Sequence, residues 1–273
     1  MNKDEVITIL DNNGLHAKAN FGQNFLCDEE IINRIIEVSE AGSDSRVLEI
    51  GPGIGALTKP LIDLGCDLTA VEIDKELFSY LKDEYDGKLN LIQSDYLKLP
   101  VSDYADKPFD HVLSNIPYYV MTNIMKKLLV DCGSAKKMTF MVEDDAISRI
   151  ICEPNTKQYG PLSILIGIYG KANREFTVPS GCFYPMPHTT SAVITVTKDS
   201  DSHEITSDLC DFIEAAFSKR RKTLSNSLSS FLSVRELKMS LAEALEKKGI
   251  APTIRAEALR PSDLVELYDL ILL

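Results

Sequence analysis

The chain has 273 residues, 44% hydrophobic and 26% charged, enough for one large domain or a large domain with a small partner. With 29 basic against 41 acidic side chains its net charge is −12, so a nucleic-acid partner would require basic residues segregated on one face. No apolar run approaches the roughly 18 residues of a membrane span, the N-terminal MNKDEVITILDNNG does not read as a signal peptide, and the six widely spaced cysteines form no C-x-x-C pair. A cytoplasmic protein with reduced thiols and no metal is expected.

In chain order, residues 4–10 and 28–38 read as helices, the second with Asp28 as N-cap ahead of EEIINRIIEV. From about 46 to 142 short β-rich runs alternate with stretches of helical period: RVLEI, ALTKPLIDLG, DLTAVEI, KELFSYLKDEY, LNLIQS, FDHVLS, NIMKKLLVDCG and KKMTFMV. That alternation predicts an α/β fold with a mainly parallel, doubly wound sheet, which binds ligands at the carboxyl ends of its strands. SAVITVTK (191–198) would add a late strand. The polar DSDSHEITS (199–207) marks a boundary between a catalytic domain, 1–200, and a helical domain, 201–273, whose apolar residues recur every three or four positions, with Gly249 and Pro261 as punctuation.

LEIGPGIGAL places Gly51, Gly53 and Gly55 between a strand and a helix, where a loop without β-carbons lets a ligand approach the backbone. Gly51, Gly53 and Ala56 also satisfy G-x-G-x-x-A, a dinucleotide fingerprint shared with nicotinamide dehydrogenases. The next strand ends at Glu72, placed to accept from ribose hydroxyls, and the third at Asp95, placed to accept from an adenine amine. Together they point to an adenosine-containing cofactor.

The fourth strand runs into Ser114-Asn115-Ile116-Pro117-Tyr118-Tyr119, which is ordinary turn chemistry on its own. A hydride-transfer enzyme has no evident use for it here, whereas methyl transfer to a planar amine does. The lone pair of an exocyclic amine is delocalised into its ring. Accepting its two N–H groups on the Asn115 side chain and the Ile116 carbonyl favours a pyramidal nitrogen; Pro117 stiffens that carbonyl and Tyr118 offers a face for the base.

These segments resemble the small-subunit ribosomal RNA adenine N6,N6-dimethyltransferases, with the 23S rRNA resistance methylases as cousins. FGQNFL (21–26), LEIGPGIGALT (48–58), VEID (71–74), SD (94–95), NIPYY (115–119), FYPMPHTTSAV (183–193), RRKTLSNSL (220–228) and IRAEALRPSDL (254–264) follow the family's order, the last two favouring the small-subunit enzymes. The resemblance implies a Rossmann-like S-adenosylmethionine-dependent methyltransferase sheet and a small C-terminal helical domain. It implies that Gln23, Asn24, Leu26, Gly51, Gly53, Glu72, Ile73, Asp95, Tyr96 and Asn115 hold S-adenosylmethionine. Asn115, Ile116, Pro117 and Tyr118 would carry catalysis. Tyr118 and Phe183 would sandwich a flipped adenine, and Arg220, Arg221 and Lys222, beside Lys219, would contact the 3′ region of 16S ribosomal RNA. A monomer is expected.

Several departures bear on the acceptor. HAKAN leaves Lys18 alone where the family carries more basic residues, and Val142-Glu143-Asp144-Asp145 replaces Leu-Gln-Lys-Glu. His188 and Thr190 stand where a lysine-like and an acidic residue are common, and Met121-Thr122-Asn123 replaces a small-residue and proline turn. Two alternatives therefore stay open: a methyltransferase of the same fold with a non-ribosomal acceptor, and a ribosome-assembly factor with dispensable or lost activity. Lys126, Lys127, Lys136 and Lys137 are candidates for extra positive field.

Overall fold

A computed structural model describes the whole chain except residues 19, 20 and 220 and the side chain of Tyr118. It forms two compact units, Met1–Ile147 with Ala172–Lys198, and Ser148–Lys171 with Asp199–Leu273. The sequence boundary near residue 200 is thus corrected for residues 148–171, which pack with the later helices. PLSILIGIY is apolar on nearly every face and needs helical neighbours to cover it.

The first unit begins with α1 (Lys3–Asn12), started by a capping box between Asn2 and Glu5. After β1 (Phe25–Leu26), α2 (Glu29–Ser39) is capped by Asp28, whose side chain accepts the Ile31 N–H; Ile31, Ile32 and Ile35 form its buried face. The alternating region then gives β2 (Arg46–Ile50), α3 (Thr58–Asp63), β3 (Asp67–Glu72), α4 (Lys75–Glu84), β4 (Asn90–Gln93), β5 (His111–Asn115), α5 (Met121–Asp131) and β6 (Lys137–Glu143).

Helix α6 (Pro161–Tyr169) belongs to the second unit, and the chain returns to the sheet through β7 (Gly170–Val178), β8 (Phe183–Tyr184) and β9 (Ser191–Lys198). The seven-stranded sheet has the order β4-β3-β2-β5-β6-β9-β7. Strands β2 to β6 pair in parallel and β9 runs antiparallel to β6, from Lys137↔Thr197 to Glu143↔Ser191.

The chain enters this sheet at its centre, winds out to β4, then returns to the other side of β2 for β5. The carboxyl ends of β2 and β5 therefore diverge at a topological switch point, where a crevice opens. Val47, Leu48, Val112 and Leu113 are fully buried beneath it, so the polar residues of these strands collect at its rim.

Strands β1 and β8 pair antiparallel, Leu26 opposite Phe183, and bring FGQNFL against the loop after β7. Both are only two residues long and neither is visible in the sequence pattern. Nor is β7, an edge strand that exposes Lys171, Arg174 and Glu175; charge at an edge blocks pairing with another chain and also hides the strand's period.

In the second unit α7 (Ser207–Phe217) ends before the turn that holds Lys219, Arg221 and Lys222, and α8 (Leu224–Leu232) starts anew because Thr223 caps it by accepting the Asn226 N–H. SVRELKM (233–239), within the domain expected to be helical, precedes α9 (Leu241–Lys247) in irregular backbone, pinned by the Lys238 N–H on the Ile271 carbonyl at 2.9 Å. Helix α10 (Pro261–Leu272) starts at Pro261, as its punctuation suggests. Phe212 meets Phe231 and Tyr268 edge to face, and a side chain at Gly167 would strike Pro261 at 2.6 Å, so the glycine allows α6 and α10 to pack closely. Among the described residues no helix is long and apolar enough to cross a membrane.

Candidate functional site

A cleft of the first unit opens over the strand ends of β2, β3, β5 and β6 and the turn after β4. Gln23, Asn24, Leu26, Gly51, Gly53, Glu72, Ile73, Asp95, Tyr96, Asn115, Ile116, Pro117 and Phe183 all line it. The strand ends at Gly51, Glu72, Asp95 and Asn115 meet because parallel crossovers return each strand in the same direction, while Gln23 and Phe183, 160 positions apart, meet through the antiparallel β1–β8 pair.

The glycine turn follows β2. Gly51 and Gly53 have φ of 72° and 63°, left-handed values that side chains disfavour. A Cβ on Gly51 would stand 3.9 Å from the Asn115 carbonyl oxygen, inside the gap between the two strand ends. Gly55 serves packing instead, since its Cβ would lie 2.8 Å from the Tyr85 hydroxyl and its absence lets the turn settle on the end of α4.

Glu72 is buried, with both carboxylate oxygens engaged: the Gly53 N–H donates to one at 3.2 Å and the Asp74 N–H to the other at 2.8 Å. Burial pushes its carboxyl up to about 7, with those two N–H groups pulling the other way. Each oxygen keeps a second lone pair for a hydroxyl.

Glu49, which the sequence reading did not select, is a second buried carboxyl in the cleft wall. Burial pushes it up to about 8, against the Thr58 hydroxyl that donates to it at 2.8 Å, and Glu72 adds to the rise. The available signal was a glutamate inside the apolar run RVLEI.

Asp95 caps the turn Tyr96–Lys98 by accepting the Leu97 N–H at 3.1 Å, and its other oxygen lies 3.2 Å from the Lys98 ammonium. Tyr96 is buried, its hydroxyl 3.1 Å from that of Tyr104, and both tyrosines hydrogen-bond Asp131.

Strand β5 delivers Asn115 opposite Met141, and the Ile116 N–H donates to the Met141 carbonyl at 3.1 Å. The Ile116 carbonyl accepts no backbone N–H among the described residues. Asn115 is half-buried and its side chain makes no hydrogen bond to a described residue. Tyr119 is 61% exposed at the cleft rim, whereas Phe183 is buried beside Leu26 and forms a wall. The Tyr118 side chain lies outside the described residues.

The basic candidates divide. Lys127 is paired with Asp131 at 2.6 Å and sits over the Tyr96 ring, Lys136 with Asp110 at 2.9 Å, and Lys137 with Glu40, so these three are compensated locally and add little to an RNA-attracting field. Lys219, Arg221 and Lys222 are exposed between α7 and α8, while Arg220 lies outside the described residues. Glu143 lines the cleft and accepts from the Thr189 hydroxyl at 3.2 Å; Asp144 pairs with Arg174 at 2.6 Å.

Residues 14–272 match the model of a family described as ribosomal RNA adenine dimethylase. The chain is 36% identical over 271 residues to the ribosomal RNA small subunit methyltransferase A of Shouchella clausii, spanning 96% of this chain and 92% of that one. A protein of the same name from Acinetobacter baylyi is 37% identical, spanning 94% and 93%. Among solved structures, a dimethyladenosine transferase from Plasmodium falciparum superposes with a TM-score of 0.73 at 22% identity, over 89% of this chain and 95% of that one. The 23S rRNA methyltransferase ErmE gives 0.61 at 22% identity, over 91% and 99%, a likeness of fold.

Proposed function

The chain belongs to the ribosomal RNA adenine dimethylases, and we propose that it transfers methyl groups from S-adenosylmethionine to N6 of adenosines in the 3′ region of small-subunit (16S) ribosomal RNA, forming N6,N6-dimethyladenosine. The observation that carries this reading is the meeting, in one cleft, of the glycine turn, Glu72 and Asp95 with Asn115 and an Ile116 carbonyl that accepts no backbone N–H among the described residues.

The residues present fit the cofactor. Glu72 is fixed by two N–H donors with lone pairs to spare for ribose hydroxyls, Asp95 and Tyr96 bound the next stretch of wall for adenine, and the glycine turn leaves the adjoining space clear. The buried Glu49 faces the same space and is suited to an ammonium group. When bound, the cofactor supplies an electrophilic methyl on sulfonium.

The protein's part at the other end is to orient the acceptor. The Asn115 side-chain oxygen and the Ile116 carbonyl accept the two amine N–H groups, and Pro117 fixes the direction of that carbonyl. Each transfer exchanges one N–H for a methyl and releases one proton, which leaves to solvent because neither acceptor is a useful base. A monomethylated amine retains one N–H, so the second transfer proceeds with only one of the two hydrogen bonds. Phe183 supplies an apolar wall for the base, and Lys219, Arg221 and Lys222 supply phosphate contacts.

A second reading, the same chemistry on a non-ribosomal acceptor, is favoured by one observation: Glu143 to Asp145 place carboxylates at the acceptor rim. Incubation of undermethylated small ribosomal subunits with labelled S-adenosylmethionine tests both. Label recovered as dimethyladenosine in the small-subunit RNA is expected; cofactor binding without label in that RNA would overturn the ribosomal assignment and leave the second reading.

A further inference from the structure

The segment that forms one wall of the cleft is tied to the opposite wall by a network spanning more than 50 residues of sequence. Gln23 uses both ends of its amide. Its oxygen accepts the Lys18 backbone N–H at 2.8 Å and its nitrogen donates to one Asp74 oxygen at 2.8 Å. Only one orientation of the amide satisfies both bonds. The Lys18 ammonium donates to the other Asp74 oxygen at 2.8 Å and lies 2.9 Å from the Glu76 carboxylate.

Asp74 also caps α4 by accepting the Glu76 N–H, a role that a half-exposed side chain can fill; here the residue is 2% exposed. Burial pushes its carboxyl up, and the hydrogen bonds from Lys18, Gln23 and the Glu76 N–H, with the Lys18 charge, together outweigh burial and hold it below the usual range. Removing Lys18 and Gln23 would leave a buried carboxylate with its charge uncompensated, which is costly.

The network continues into the cleft. The Asp74 N–H donates to Glu72, whose other oxygen takes the Gly53 N–H. On its far side the same N-terminal segment rests on the amine site: Gly22 has a φ of 63°, and a Cβ there would lie 3.2 Å from Pro117 and 3.8 Å from the Tyr119 ring.

We propose that Lys18, Gln23 and Asp74 are positioning residues that latch segment 21–26 to the Glu72 strand end and so govern how long the cofactor stays in the cleft. Gln23 thereby acts through Asp74 rather than by touching the cofactor. Opening the cleft requires Lys18 and Gln23 to leave Asp74, and closing it restores the bonds that aim Glu72. Lys18 is committed to this contact by its bonds to Asp74 and Glu76.

The inference rests on the cofactor reading above and is tested with S-adenosylhomocysteine, a probe that cannot react. Calorimetry and stopped-flow dissociation are run on the full chain and on Lys18→Met, Lys18→Arg and Gln23→Leu. Lys18→Met and Gln23→Leu are expected to weaken binding about tenfold through faster dissociation, with Lys18→Arg within about threefold of the unmodified chain. Ligand-free melting temperatures of Lys18→Met and Gln23→Leu should fall, since each change leaves the buried Asp74 carboxylate short of a partner, so binding is compared at a temperature where every variant is folded. Methyl transfer should then show a raised KM for S-adenosylmethionine with kcat retained.

Binding by Lys18→Met within about twofold of the unmodified chain would overturn the latch, as would a loss that Lys18→Arg shares in full. No binding by the unmodified chain would sink the cofactor reading itself.

Discussion

The two ends of the cleft treat carboxylates in opposite ways. At the glycine-turn end Glu49, Glu72 and Asp74 are buried, and each is held by donors from its own unit. At the Asn115 end, the proposed amine end, Glu143, Asp144 and Asp145 lie on the rim; Glu143 accepts from the Thr189 hydroxyl at 3.2 Å and Asp144 pairs with an exposed arginine. Burial makes a carboxylate's position costly to change, because each partner lost leaves charge or polar atoms unsatisfied. Exposure makes it cheap. Residues 143–145 accordingly stand where charge can be exchanged without disturbing the fold.

The sharpest test of this division is Asn115→Ala. It removes an acceptor from the amine end while leaving the glycine turn alone, so methyl transfer should fall about 10³-fold with S-adenosylhomocysteine affinity unchanged. Loss of affinity in that variant would break the division, placing Asn115 in the cofactor's own site. A smaller effect is expected from Arg221→Glu with Lys222→Glu in the second unit. Affinity for small-subunit RNA should drop about a hundredfold at low salt, and the slope of log affinity against log salt should flatten. An unchanged slope would remove this turn from the RNA interface.

Third comes the charge state of the buried end. Glu49 and Glu72 have folded values near 8 and 7 against an ordinary 4.5, so both bind their protons more tightly in the folded chain. Their contribution to stability is fully present below about pH 4.5 and is lost as pH rises through 7 and 8. Glu49→Gln mimics the protonated form, so its melting temperature should exceed that of the unmodified chain by about 5 °C at pH 9 and match it near pH 5. Equal melting at both pH values would show that water or rearrangement already relieves the buried charge.

The parallel strands and their helices were legible because each has the period of its element, and the turn residues between them carry recognisable turn chemistry. Glu72, Asp95 and Asn115 could be picked out since polar residues at the ends of apolar runs have no packing role. What escaped the sequence depends on contacts far apart in the chain. Strand β7 shows charge on its outer edge and no clean alternation, and β1 and β8 exist only because Phe25 and Tyr184 meet. Residues 148–171 read as part of the first domain until their apolar helix is seen against α7 and α10. Lys136 and Lys137 looked like a basic pair, yet their partners are Asp110 and Glu40, which no local pattern links to them. Glu49 was hidden by its neighbours, an acid within a strand that otherwise reads as core.

The smallest expected effect probes the open rim. Asp144 and Arg174 form an exposed pair at 2.6 Å, with Arg174 also donating to the Thr177 hydroxyl at 2.8 Å. Such pairs contribute at most about 1 kcal/mol to folding, so Asp144→Asn should leave the melting temperature nearly unchanged. It removes one negative charge from the rim and releases a guanidinium from its counter-ion, and both changes favour a phosphate backbone. RNA affinity should therefore rise about threefold at low salt, with the salt slope steeper by up to about one and the gain vanishing at high salt. If affinity and slope stay as they were, phosphate does not approach this rim, and the acidic run marks a face that the RNA leaves uncovered. A gain for a non-ribosomal RNA alone would instead mean that the rim selects among acceptors, since one charge would then act on discrimination rather than on attraction.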